Sequence, residues 1–459
     1  MADTTVSAQT ARADGSVPYL IGQPNWQSRS VPDINDPTSN VTLLERQLID
    51  VLILGDGFLS QTEFESSLQA WIDDFFKLAV YEVFKGAFRI RALYRSSAAR
   101  SGSARDSYYR VKMTDSGGVS GDGWYDNNTG DDLVFKQTLF ADVDSFSDIN
   151  KRRYPEGHSF NEGTIDVGDW LFGMYRNLVV CMLVKNSSNG NASGRAIKLY
   201  RPAPDDTKMV RVALGVDDIH EFSHAFAHLK DEYIGDGKRE VESSNDDPAR
   251  RSVLNLSNLS YSDAIDTVPW YHISPWGKEP RLASGDSASP LAGWLWVGGN
   301  RHLGVWHSEY QCLMNGSHDN FQYTQDNPED DPTMQADGSI DGVSLRVKDR
   351  FCLWCQELVV MRIWERTSQM KETGQPSDFV ERGEYWYERW VEQWRDNYWQ
   401  LLDVPQQIMD READYASQNP GAGGERLDSS DLYTPFVSVE LDSSGPSEFD
   451  EGAWLLNLG

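Results

Sequence analysis

The first sustained apolar run in the chain is Val51-Leu52-Ile53-Leu54, and Gly55-Asp56-Gly57 stops it. A short run that is apolar on both faces and closed by turn residues predicts a buried strand entering a tight turn. Ser60 and Glu63 follow at capping-box spacing, and Phe64, Leu68, Trp71, Ile72 and Phe75 then recur at helical intervals. Phe88, Ile90, Ala92 and Tyr94 alternate with Arg and Leu, the period of a half-buried strand. Strand, helix, strand opens a layered packing of helices on a sheet. Residues 178–184 (LVVCMLV) are apolar throughout, which predicts a strand in the middle of that sheet. A polar loop over 186–194 leads to Ala196-Ile197-Lys198-Leu199-Tyr200, whose alternation suits an edge. After Val212-Ala213-Leu214, Asp217 and Asp218 are N-cap candidates for a helix over about 217–228. The expected fold class is α+β, a mixed sheet with packed helices.

Three stretches frame this pattern. Residues 1–45 are rich in Ser, Thr, Asp and Pro with no sustained period, and read as a polar N-terminal extension. Residues 46–365 carry the layered domain, with a helix beginning near 351. Residues 366–459 form a Trp-rich helical region with an acidic tail; Trp386, Trp390, Trp394 and Tyr398 recur there at nearly helical spacing, as expected of a docking face. The Gly/Asp/Asn-rich segment 116–132 reads as a solvated loop. Calcium is a lesser reading there, because its carboxylate spacing fits no EF-hand.

Composition narrows the partners. The 459 residues carry 42 Lys+Arg against 71 Asp+Glu, a net charge of −29. Phosphate binding needs clustered cations, so nucleic acid is excluded as the main partner and an anionic membrane surface is disfavoured. No stretch reaches the ~18 consecutive apolar residues of a spanning helix. The start, MADTTVSAQTARADG, lacks the apolar core of an export signal, and the localisation stays open. Four cysteines do not make a disulfide scaffold. Cys352-x-x-Cys355 reads as a structural pair on a helix face, with half a zinc site or a redox pair as alternatives. A bond from Cys312 to either member is open under oxidising conditions.

The chemistry is concentrated in His220-Glu221-Phe222-Ser223-His224, an HExxH sequence. On a helix, positions i and i+4 lie one turn apart on one face, so both imidazoles can reach one ion. Two His and one further ligand leave zinc an open position for water, and Glu221 stands where it can take that water's proton. Ile219, Phe222, Phe226 and Leu229 gather roughly opposite the two His, so one face packs while the other is left for metal. The pattern therefore predicts one zinc ion on His220 and His224. The third ligand has several candidates. His228 would stand about 12 Å along the axis from His220 at 1.5 Å per residue, which favours packing over ligation. If the helix ended near 227–228 the chain could bend back and offer Asp231 or Glu232, although no Gly is present to make that bend. Asp231 is the expected third ligand; Glu232, His228 and a downstream carboxylate stay open.

The segment HEFSHAFAHLKDEY, residues 220–233, resembles the HE-x-G-H…L-x-D-E-Y signature of the immunoglobulin A peptidase family of zinc metallopeptidases. Similar stretches occur in the same order: DVLILGDGF at 50–58, VKNSS at 184–188, Gly304-Val305-Trp306 through Cys312-Leu313-Met314, and FCLWCQE at 351–357. The likeness spans about 49–357. It implies a metzincin-like catalytic domain with a helical C-terminal extension, an active-site helix under a mixed sheet, and Met314 as a Met beneath the metal. It also implies a protein or peptide substrate and a family that is mostly exported. Ser223 stands where the family usually has Gly, Trp306-His307-Ser308 replaces Tyr-Arg-Pro, and Lys230 occupies the place of a metzincin third His.

The function expected is a zinc-dependent endopeptidase with Glu221 as general base, and the edge strand near 196–200 holding an extended substrate. Tyr233, His307 and Tyr310 are neighbouring candidates to steady an oxyanion. The alternatives are a non-catalytic zinc-containing binding or adhesion module, and a zinc hydrolase with a non-protein substrate.

Overall fold

The computed structural model describes residues 4–21, 29–101, 107–111, 130–146, 178–185, 194–200, 209–215, 219–232, 258–260, 268–270, 273, 296–299, 302–309, 312–315, 349–367, 369 and 389–410. The chain divides into two units. The first takes in Met1–Leu229, Lys348–Phe351 and Cys355–Leu402; the second takes in Lys230–Val347, Cys352–Trp354 and Asp403–Gly459.

The first unit is α+β and is built on a seven-stranded mixed sheet. Its strands are β1 (Val6–Ala8), β2 (Val17–Ile21), β5 (Ile49–Asp56), β6 (Phe88–Tyr94), β7 (Leu178–Val184), β8 (Arg195–Tyr200) and β9 (Met209–Gly215), in the order β1-β2-β6-β5-β7-β9-β8. The inner four run parallel, and β1, β2 and β8 lie antiparallel to their neighbours. Every residue of β5 and β7 is buried, which is why β7 and the Val51–Leu54 centre of β5 read as apolar runs. β8 ends the sheet, as its alternation predicts.

Helix α1 (Gln61–Lys77) follows β5. Ser60 Oγ accepts from Glu63 N at 3.3 Å, and Glu63 Oε2 accepts from Leu59 N at 3.3 Å, so the predicted cap forms with its return bond one residue early. The helix buries Phe64, Leu68, Trp71, Ile72 and Phe75. At about 1.5–3 kcal/mol for each such side chain, packing rather than propensity holds it in place. The turn into it needs Gly57, which has φ 78°, and a Cβ there would stand 2.1 Å from Lys185 O. The short α2 (Ala79–Val83) comes next. Helix α3 (Gly130–Ser145) puts Leu139, Phe140 and Val143 into the core with Val180, Met182 and Val212. Residues 130–132, expected within a loop, are therefore helical; 112–129 lie outside the described residues.

The first 45 residues differ from the expected polar extension. β1 and β2 extend the sheet, and β3 (Ser30–Asp33) and β4 (Asp36–Thr42) form a hairpin. β2 lies between β1 and β6 and buries alternate residues; its Pro18 stands past the end of β1, where its carbonyl accepts from Gln9 N at 2.8 Å. Residues 355–402 fall in this same unit. Within this unit, Glu357 accepts from Trp390 Nε1 and Trp399 Nε1, each at 3.0 Å, and Gln356 Nε2 donates to Tyr398 OH at 3.0 Å. Asn397 Nδ2 in turn donates to Ile34 O at 2.9 Å. The aromatic stripe is thus a packed face, with Trp390 and Tyr398 fully buried; Trp386 lies outside the described residues.

In the second unit β10 (Trp296–Gly299) pairs antiparallel with β11 (His302–His307). Ser260 adds a two-bond bridge to Trp306. Among the described residues no helix is long and apolar enough to cross a membrane.

Candidate metal centre

Helix α4 (Ile219–Ala227) carries the HExxH residues. Phe222 meets Trp71, Phe75 and Tyr81 edge-on at centroid distances of 6.0, 5.1 and 5.8 Å, and stacks on Phe226 at 5.4 Å. This aromatic contact fixes the helix's rotation and so decides where the opposite face points. Ser223 is fully buried in the place where the resembled family carries Gly. Its hydroxyl is satisfied within the helix by donating to Ile219 O at 2.9 Å, so the extra oxygen is buried without being left unpaired.

On that opposite face His220 Nε2 and His224 Nε2 stand 2.9 Å apart, with the rings nearly perpendicular. His224 Nδ1 lies 2.5 Å from Leu229 O. A carbonyl oxygen only accepts, so Nδ1 carries the proton and Nε2 presents a lone pair towards His220. Fixing the far nitrogen on a carbonyl is the usual support of a metal-binding imidazole.

That carbonyl is where it is because α4 stops at Ala227 and His228 takes φ 61°. The reversal expected without a Gly therefore occurs on a His, at roughly 1–2 kcal/mol for the left-handed backbone. His228 is not placed with the pair. Its Nδ1 accepts from Arg362 Nη2 at 3.0 Å, which uses it in packing, as its distance along the helix predicted.

Past the reversal the described segment runs on to Glu232. Asp231, the expected third ligand, lies in this segment, which belongs to the second unit. Residues 230–232 are held by Asn258, which is 1% exposed. Its Oδ1 accepts from Lys230 N at 2.8 Å, and its Nδ2 donates to Lys230 O at 2.9 Å and to Glu232 Oε1 at 3.1 Å. Glu232 N donates to Met314 O at 2.8 Å. Met314, fully buried, thus fixes this segment through its main chain.

Glu221 is 7% exposed. Its side chain lies against Gly194, directly before β8: a Cβ on Gly194 would stand 2.2 Å from Glu221 Cγ and 2.7 Å from Oε1. Two imidazole nitrogens on one helix face, with a buried carboxylate one position along the helix, form a donor set suited to zinc and to water activation.

Several expected residues do not enter this picture. Glu232, an alternative third ligand, stands within the second unit beside Cys312 and Cys352, their ligand atoms within 4.8 Å of one another. His307 is buried on β11 at 3% exposure. Tyr233, Tyr310, Asp217, Asp218 and most of the calcium candidate segment lie outside the described residues. None of the four cysteines is in a disulfide. Gly194 and Asn258 escaped the sequence reading: the first sat in an apparent loop, and the second is 26 residues from what it holds. Comparison with protein-family models and with curated proteins yields no match for this chain.

Proposed function

We propose that this chain is a zinc-dependent endopeptidase of metzincin-like layout, similar to the immunoglobulin A peptidase family. The single observation that carries the reading is the pair of Nε2 atoms 2.9 Å apart, one of them tautomerically fixed by Leu229 O. His220, His224 and Asp231 would hold the ion. When bound, zinc lowers the pKa of a water ligand towards ~7 and polarises a carbonyl.

The remaining work falls to the chain. Glu221, close to the His pair and pressed on Gly194, takes a proton from the attacking water and returns it to the leaving amine. Its burial keeps bulk water from competing for that proton. β8 is the last strand of the sheet and starts beside Gly194, so an extended peptide paired along its outer side would bring a backbone amide past Glu221.

The test is zinc content by mass together with Glu221→Ala assayed on a denatured-protein mixture. The expected result is retained metal and a loss of at least about a hundredfold in activity, the usual scale for a general base. Full activity in that variant rejects the mechanism. Activity only on non-protein substrates replaces the peptidase with another zinc hydrolase.

A further inference from the structure

Cys312 and Cys352, the two cysteines of the second unit, stand side by side although they are 40 residues apart in sequence. Their sulfurs lie within 4.8 Å of each other. Both residues are 0% exposed, and the adjoining Leu313, Met314, Leu353 and Trp354 are buried as well.

Hydrogen bonds already hold the two segments in register. Cys352 N donates to Cys312 Sγ at 3.1 Å, Ser308 Oγ donates to Cys352 Sγ at 3.3 Å, and Leu353 N donates to Glu309 Oε1 at 2.5 Å. Met314 N also donates to Cys312 Sγ, at 3.4 Å. N–H donors favour the charged form of the group that accepts them, so Cys312 is the sulfur better placed to act as a thiolate. The contact of Cys352 N with Cys312 Sγ also selects this pair from the two that the sequence leaves open.

The stretch between the two cysteines gives a covalent tie its value. Residues 316–347 carry seven Asp or Glu against one Arg. Like charges repel one another and do little to hold the two ends of such a stretch together. A cross-link at its base removes conformational freedom from the unfolded chain, and the gain grows with the number of residues enclosed.

We infer that Cys312 and Cys352 become joined by a disulfide when the chain folds under oxidising conditions, and that the bond anchors the Met314 segment. The Cys312 thiolate attacks a small-molecule disulfide such as glutathione disulfide, forming a mixed disulfide and displacing one glutathione thiolate. The Cys352 thiolate then attacks Cys312 Sγ and displaces the second. Two protein thiols are oxidised, their two electrons reduce glutathione disulfide, and their two protons end on the two glutathione thiols released. The exchange belongs to folding, before the sulfurs are sealed from solvent, because buried thiols are inert. Met314 O accepts from Glu232 N at 2.8 Å, so the bond also steadies the main chain next to Asp231. Neither thiol takes part in the catalytic reading, and the bond stands or falls without it.

The test unfolds and reduces the full chain, refolds it in a buffer of reduced and oxidised glutathione, and counts its thiols in denaturant. The four cysteines should then yield two thiols. A non-reducing tryptic map should join the Cys312 peptide to the peptide that starts at Phe351, with fragmentation placing the link at Cys352. Cys181→Ser and Cys355→Ser should keep the link, and Cys352→Ser should lose it. Amide exchange over residues 230–232 should become at least about tenfold faster when the refolded chain is reduced. If Cys352→Ser fails to fold, the wild-type thiol count and map decide alone. Four thiols in the folded chain, or a link that uses Cys181 or Cys355, overturns the bond. Exchange unchanged on reduction, with the bond formed beforehand, overturns the anchoring.

Discussion

Gly194 and Glu221 are in mutual contact to a degree that leaves no room for a side chain on the former: the nearest Glu221 atom is 2.2 Å from where a Cβ would sit. The carboxylate is thus positioned by the backbone that enters the edge strand, and the strand's start is tied to the residue that would act on a substrate lying along it. Gly194→Ala is expected to displace the Glu221 carboxylate while leaving the His pair intact. Steady-state kinetics should show kcat lowered on the order of 10²-fold, with zinc content unchanged. Unchanged kcat would remove Gly194 from the account.

Asp231 depends on Asn258, because three hydrogen bonds from one buried amide fix residues 230–232. Asn258→Ala should lower stability by about 1–3 kcal/mol in chemical denaturation, the scale for buried backbone groups left without partners. It should also weaken zinc binding to the His pair by about 10–100-fold. Zinc affinity equal to wild type would show that Asp231 is not held by this clamp.

His228 is read as the turn residue that brings Leu229 O to His224, not as a ligand. Asn tolerates the same left-handed backbone. His228→Asn should therefore keep the zinc content of the wild type and lose about 1 kcal/mol through the missing Arg362 contact. Loss of zinc in a folded variant would restore His228 as a ligand.

The edge strand allows an internally controlled test. In an antiparallel pair, N–H groups of successive residues point alternately to the neighbour and away from it. Of the variants Ala196→Pro and Ile197→Pro, one should break the ladder with β9 and unfold more easily. The other should keep the ladder and raise KM several-fold with zinc retained. If neither changes KM, substrate does not pair along β8.

How much of this was legible in the sequence depended on whether a pattern was local. β5, α1, β7 and β8 were readable because each carries its own period or run, and the His pair because i, i+4 is a helical relation. β1 and β2 were not, since strands of three and five residues, the second containing Pro18, take their register from their neighbours, β1 from β2 and β2 from β6, rather than from any pattern of their own. β4 is polar apart from Pro37 and Val41 and, among the described residues, pairs with its hairpin partner. Asp231 was reachable only as a neighbour of the motif, because the turn that delivers it uses His228 where a Gly would have announced it. The cluster of Glu232 with the cysteines was invisible for a different reason. Glu232, Cys312 and Cys352 come from three distant segments, with no spacing that sequence can show.

Anomalous diffraction at the zinc edge, from crystals of the zinc-loaded chain, goes most directly to the principal assertion. A peak at about 2.0–2.1 Å from both His220 Nε2 and His224 Nε2, with an Asp231 oxygen at about 2.0–2.2 Å, is the result expected. No density there under saturating zinc, or the two imidazoles turned towards separate surroundings, would contradict the assignment.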